Sequence, residues 1–196
     1  MRKGKIIALE GPDKAGKMTQ SKLLVDSLRK SGRISVVMDF PDYSTPIGME
    51  ISAFLEDKRD YSNEVKHMLM SANRWERKRE IESLVKTGTI VVINRYYQSN
   101  LVYGISNGLN IDWLLNLDKG LPKEDIAIVI NISPSTVKLR TEKLDLFERS
   151  EKLLLAVNKN YSKLAKRFSW KIMSGDNSKE QVHQDILNLL KREKII

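Results

Sequence analysis

The sequence predicts an α/β protein, a parallel β-sheet covered by helices on both faces. Two observations carry that reading. Five short apolar runs recur along the chain, at residues 6–9, 34–38, 89–93, 127–132 and 170–173, and runs of this kind read as strands buried on both faces. Longer amphipathic stretches fill the intervals, and strand–helix alternation indicates parallel strands joined by helical crossovers.

The elements follow in order. After the first run, residues 17–30 form a helix that stops at Gly32, a residue free to take the left-handed C-terminal conformation. Thr45-Pro46 offers an N-cap followed by proline at the first helical position, and Ser133-Pro134 repeats the arrangement. One long helix is expected from about residue 62 to 86, stopped by Gly88. Ser178-Lys179-Glu180-Gln181 reads as a capping box that opens the last helix. Repeats, linkers and low-complexity segments are absent from the sequence, so residues 1–196 read as one domain.

Composition narrows the function. Hydrophobic residues make up 41% of the 196 and charged residues 30%, enough apolar material for a core and too much for a disordered chain. No stretch approaches the ~18 consecutive apolar residues of a membrane span, and the first residues read as a strand rather than a signal peptide. The expectation is a soluble, cytoplasmic protein. With no cysteine, disulfides, thiolate zinc sites and cysteine nucleophiles are excluded together. His67 and His183 are the only imidazoles, which excludes a histidine-rich metal site. Thirty-four Lys and Arg against 25 Asp and Glu give +9. That balance suits polyanions, whether nucleic acid, a membrane surface or phosphorylated small molecules. A solvated lysine-rich surface accounts for it equally well.

The sharpest motif follows the first strand. Gly11-Pro12-Asp13-Lys14-Ala15-Gly16-Lys17 has phosphate-loop spacing between a predicted strand and a predicted helix. Glycines let backbone N–H groups turn inward around phosphate oxygens, the helix N-terminus adds partial positive charge, and Lys17 reaches the terminal phosphates. The fold class is therefore of the phosphate-loop NTPase type. Position 18 departs from the pattern: Met18 stands where a Ser or Thr hydroxyl would meet magnesium, and a thioether is a poor ligand for a hard cation. Thr19 points about 100° further round the helix.

Further segments carry a resemblance to a known family. Residues 11–20, Phe40-Pro41-Asp42-Tyr43-Ser44-Thr45-Pro46-Ile47-Gly48, Ser71-Ala72-Asn73-Arg74-Trp75-Glu76 and Asn94-Arg95-Tyr96 stand in the order seen in thymidylate kinases. Gly120-Leu121-Pro122-Lys123 and Val182-His183 resemble the same family. The resemblance spans essentially the whole chain. It implies a five-stranded parallel sheet, a homodimer packed through helices, and phosphoryl transfer from ATP, with Mg2+, to thymidine monophosphate.

The resemblance also implies roles. Residues 11–19 would hold the ATP phosphates. Arg74 would meet the thymine edge, with Met70 one turn before it where the family usually stacks a phenylalanine. Arg95, at the carboxyl edge of the third strand where open α/β sheets bind ligands, would bridge acceptor and transferred phosphoryl with its planar, always-charged fork. Asn94 replaces the family's usual aspartate. Asp13 would accept the 3′-hydroxyl of the acceptor sugar, Tyr43 and Tyr103 would lie near its phosphate and C2′, and Ser99 and Asn100 near its base. Residues 134–149, with Lys138, Arg140, Lys143 and Arg149, resemble a mobile lid, and a lid arginine, Arg140 or Arg149, would act with Lys17 and Arg95 in catalysis. A closed lid excludes water from the transfer.

Three other readings stay open at this point. Met18 and Asn94 both weaken the usual metal site, as in a non-catalytic nucleotide sensor. A nucleic-acid-binding protein would need a basic groove with interleaved aromatics, and aromatics are 7% with no such run. A deoxynucleoside kinase would need a base for a sugar hydroxyl, and the sequence offers no clear candidate.

Overall fold

A computed structural model describes residues 3–140 and 144–196, with the side chains of residues 144–153 outside the described set. In chain order the elements are β1 (Lys5–Glu10), α1 (Lys17–Lys30), β2 (Ser35–Asp39), α2 (Pro46–Leu55), α3 (Asn63–Glu76), α4 (Lys78–Lys86) and β3 (Ile90–Asn94). They continue with α5 (Tyr97–Ser106), α6 (Ile111–Leu117), β4 (Ile126–Asn131), α7 (Pro134–Leu139), α8 (Leu144–Phe168), β5 (Lys171–Ser174) and α9 (Lys179–Arg192). The five strands form one parallel sheet in the order β2-β3-β1-β4-β5.

Side chains alternate across the central strands, and each face has its own apolar layer. Ile7, Leu9, Val92, Ile128 and Ile130 pack with Leu24 and Val25 of α1 and with Val182 and Ile186 of α9. Ile6, Ala8, Val91, Ile93 and Val129 pack on the other side with Ile81 of α4, Leu101 of α5, Leu114 of α6 and Val157 and Leu164 of α8. Full burial of each large aliphatic contributes about 1.5–3 kcal/mol, so the sheet centre is the most secure part of the fold.

Local signals act as the sequence predicts at several ends. Thr45 Oγ1 accepts the Gly48 N–H at 2.9 Å, and Ser133 Oγ accepts the Thr136 N–H at 3.3 Å. Gly32 takes φ 74° after α1.

Three expectations need correction. The helix expected over 62–86 is two helices that break at Arg77, without proline or glycine. Arg77 drops to φ −94°, ψ −1° because its guanidinium reaches across to Asp42, with Nε at 2.7 Å. The break turns Ile81 into the core under the sheet. The second and fifth runs are not strands buried on both faces: β2 and β5 are the two edge strands, with Ile34 and Ile172 exposed and Trp170 buried just before β5. The capping box is half-formed. Ser178 Oγ accepts the Gln181 N–H at 3.2 Å, while the Gln181 amide donates to Asp185 instead of returning to Ser178.

The carboxyl ends of β1, β3 and β4 lie together. Leu9 aligns with Asn94, and Glu10 with Val129. Because β2 and β3 lie on one side of β1 and β4 and β5 on the other, the end of β1 opens into the crevice where strand order reverses, the place where such sheets bind ligands.

Candidate active site

The loop after β1 is set by steric necessity. Gly11 adopts φ 137°, and a Cβ there would lie 2.2 Å from the Ile130 carbonyl oxygen of the neighbouring strand. Lys14 and Gly16 also have positive φ, so the chain curls tightly into α1. Lys17, the first residue of that helix, is 6% exposed and donates to the Pro12 carbonyl at 2.7 Å. Burial lowers its pKa to about 7; the charge of Arg95 adds to this, against a partial offset from Asp13 and Glu10.

Two cavities of about 600 and 560 Å³ open on either side of this loop. The second is walled by the loop itself, Met18, Thr19, Asn94, Arg140 and the start of α9. Met18 is 42% exposed on this wall. Asn94 ends β3, and its buried Oδ1 has no hydrogen-bond partner among the described residues. Arg140 donates to the Lys14 carbonyl at 3.0 Å and to the Gly175 carbonyl at 2.9 Å. It thus clamps the loop to the turn before α9 with one N–H of each terminal nitrogen, which leaves three guanidinium donors on the wall of the second cavity. Lys138 is exposed on α7. Lys143 and the side chain of Arg149 lie outside the described residues.

The first cavity gathers the residues expected to hold an acceptor: Asp13, Tyr43, Met70, Arg74, Arg95, Ser99, Asn100 and Tyr103 all line it. Their elements explain the convergence. Arg74 and Met70 share a face of α3, and Ser99, Asn100 and Tyr103 come from α5. Tyr43 lies on the turn that Asn73 fixes, its amide taking the Asp42 N–H at 2.7 Å and donating to Thr45 Oγ1 at 2.9 Å. Arg74 is buried, with Nε and Nη2 donating to Asp118 at 3.1 and 2.9 Å, and Ser71 Oγ donates to the same carboxylate at 2.8 Å. Asn100 is tied to His67: its Oδ1 lies 2.6 Å from Nδ1, and Asn107 Nδ2 lies 3.2 Å from Nε2. Burial lowers the His67 pKa, and an acceptor at Nδ1 with an amide donor at Nε2 matches a proton on Nδ1.

Arg95 stands between the cavities and, like Asp13, lines both. Its φ is 60° and its N–H donates to the Leu9 carbonyl at 3.1 Å. Nη2 pairs with Asp13 Oδ1, Nη1 lies 3.4 Å from Ser99 Oγ, and the guanidinium carbon lies 5.5 Å from the Tyr103 ring centre.

Three residues at this site were not singled out from the sequence. Glu10 is fully buried and takes hydrogen bonds from the Tyr96 N–H and Ser99 Oγ at 2.6 Å each and from Tyr161 Oη at 3.1 Å. Burial raises its pKa, against the pull of those donors and of Arg95 and Lys17. An acid at the end of an apolar strand, flush against the glycine loop, was a usable signal. Asp118, 44 residues from Arg74, and Tyr161 of α8 carried none.

Comparison with known proteins agrees with this geometry. The thymidylate kinase family model matches residues 9–186. The chain is 34% identical over 191 residues to the thymidylate kinase of Danio rerio, covering 96% of this chain and 90% of that one. It is 33% identical to the human thymidylate kinase over 190 residues, covering 94% and 89%. A solved structure of Candida albicans thymidylate kinase superposes with a TM-score of 0.82 at 28% identity, covering 98% and 93% of the two chains. A match of this extent, motifs and fold together, makes the chain a member of the thymidylate kinase family.

Proposed function

We propose that the chain transfers the terminal phosphoryl group of ATP to thymidine monophosphate, giving ADP and thymidine diphosphate for nucleotide synthesis in the cytoplasm. The observation that carries this reading is the pair of adjoining cavities sharing Arg95 and Asp13, one floored by the phosphate loop and the other by α3 and α5. ATP phosphates occupy the first-named floor, on residues 11–19; the nucleoside monophosphate lies over Met70 and Arg74 with its phosphate toward Arg95.

The acceptor oxygen is already ionised, so the reaction needs no strong general base. Catalysis is alignment and charge neutralisation. Lys17 meets the terminal phosphates, and Arg95 faces both the attacking oxygen and the phosphoryl group in transit. Asp13 receives the 3′-hydroxyl, and Tyr103, stacked near Arg95, closes the space beside C2′. Arg140 holds the loop in shape through two backbone carbonyls, and Arg140 or Arg149 serves as the lid arginine toward the transferred group.

Magnesium accompanies ATP in this reading. Among the described residues no three acidic or histidine side chains form a metal cluster, and Asp13 and Glu10 are both engaged. Asn94 Oδ1 remains, a buried neutral oxygen without a partner among the described residues. That donor set fits a hydrated ion held mainly by ATP, with Asn94 contacting its water shell; when bound, the ion offsets charge on the phosphoryl oxygens.

No helix among the described residues is long and apolar enough to cross a membrane. The family resemblance supports a homodimer, and Met49 on α2 with Met68 and Trp75 on α3 are exposed apolar side chains for a second copy to cover. The test is ADP formation from ATP and magnesium across a panel of nucleoside monophosphates and thymidine. Thymidine monophosphate should lead, with deoxyuridine monophosphate close behind because Met70 lacks an aromatic face. A panel in which thymidine monophosphate matches buffer while another acceptor reacts would reject the assignment. ATP binding with no ADP from any acceptor would favour a nucleotide sensor.

A further inference from the structure

We infer that Glu10 is a positioning residue for Arg95, acting through the Ser99 hydroxyl; the inference rests on the reading in which Arg95 serves phosphoryl transfer. A fully buried carboxylate is costly unless donors converge on it, and three do. Each of its oxygens has a separate task. Oε1 takes the N–H of Tyr96, the residue directly after Arg95, at 2.6 Å, and so fixes the backbone that presents the arginine at φ 60°. Oε2 takes the Ser99 hydroxyl at 2.6 Å.

That second bond sets a direction. A carboxylate only accepts, so the Ser99 proton must point at Glu10, and the serine lone pairs are left to face Arg95 Nη1 at 3.4 Å. The guanidinium is also held by Asp13, whose side chain is 83% exposed and lines both cavities, and by the Tyr103 ring at 5.5 Å. The part-buried path through Ser99 is therefore the hydrogen-bonded hold on the fork that runs back to a fully buried group while substrates exchange. Tyr161 of α8 donates to the same Oε2 and lies 3.4 Å from the Gly11 carbonyl, which joins α8 to the strand end and loop.

Glu10→Gln separates this role from simple core filling, because it preserves volume and removes acceptor character. If the amide nitrogen faces Ser99, the hydroxyl becomes an acceptor and its proton turns toward Arg95. If it faces Tyr96, two donors meet. Expected is a fall in kcat of tenfold or more, with the KM values for ATP and thymidine monophosphate within threefold and the circular dichroism spectrum unchanged. Ser99→Ala, which leaves Glu10 bonded to Tyr96 and Tyr161, should fall in the same direction and serves if Glu10→Gln does not fold.

The deciding measurement is a double-mutant cycle against Arg95→Lys, which retains charge and residual turnover but loses the fork. Neither Glu10→Gln nor Ser99→Ala should lower turnover further in that background. Losses that multiply would overturn the inference, as would folded single variants within twofold of normal while Arg95→Lys is impaired. Normal turnover in Arg95→Lys would instead remove the reading of Arg95 itself, and Glu10 with it.

Discussion

Lys17 holds its ammonium on a backbone carbonyl in a buried pocket, a weak substitute for phosphate. Its pKa near 7 makes nucleotide binding a proton-linked event. A base whose pKa is lowered on folding binds fewer protons folded than unfolded between about pH 7 and its ordinary 10.5, so its contribution to stability rises with pH across that window. Phosphate reverses the shift by favouring the charged form. ATP affinity should therefore weaken from pH 7.5 to 9, by up to about tenfold per unit, with proton uptake in calorimetry across buffers of different ionisation enthalpy. Flat affinity and no uptake would place the Lys17 pKa well above this range. Met18 and Asn94 shape the metal dependence. Met18 is exposed on the cavity wall rather than packed beneath the loop, so Met18→Ser should cost little stability. Either Met18→Ser or Asn94→Asp should lower the magnesium concentration for half-maximal activity. Two folded variants with unchanged magnesium curves would mean that another protein group holds the ion.

At the scale of elements, α3 is placed by ion pairs at both of its working residues. Arg77 ends the helix by reaching Asp42, and Arg74 binds it to Asp118 after α6 with side chains 3% and 4% exposed. Removing one partner of a buried pair leaves a charge without compensation, at a cost of about 3–5 kcal/mol. Asp118→Ala should lose stability on that scale in urea melts and raise the KM for thymidine monophosphate, because Arg74 lines the acceptor cavity. A loss under about 1 kcal/mol, the range of solvated surface pairs, would show that water reaches the pair. The α3–α4 break illustrates what local pattern conveys. Apolar periodicity and Gly88 mark the outer limits of this region in the sequence, but the interior stop depends on a carboxylate 35 residues earlier, and nothing near position 77 signals it.

At the scale of the whole molecule, the exposed apolar side chains of α2 and α3 frame the last prediction. The chain should sediment at twice 22.5 kDa, and Met49→Asp with Met68→Asp should shift it to the monomer mass; a monomeric parent protein would remove the dimer reading. The sequence by itself determined the five strands, the phosphate loop and the caps at Thr45 and Ser133. These are written in local pattern, where apolar runs, glycine freedom and short-range hydrogen bonds act within a few residues. Only the tertiary structure decided how the strands order, which two strands lie at the edges, and what each polar side chain faces. Ser99 and Asn100 line the expected cavity, yet the hydroxyl serves Glu10 and the amide serves His67. Arg140 clamps carbonyls of two separate loops. Such partners lie 33 to 126 residues apart in sequence, and burial makes their hydrogen bonds obligatory only after the sheet and helices have brought them together.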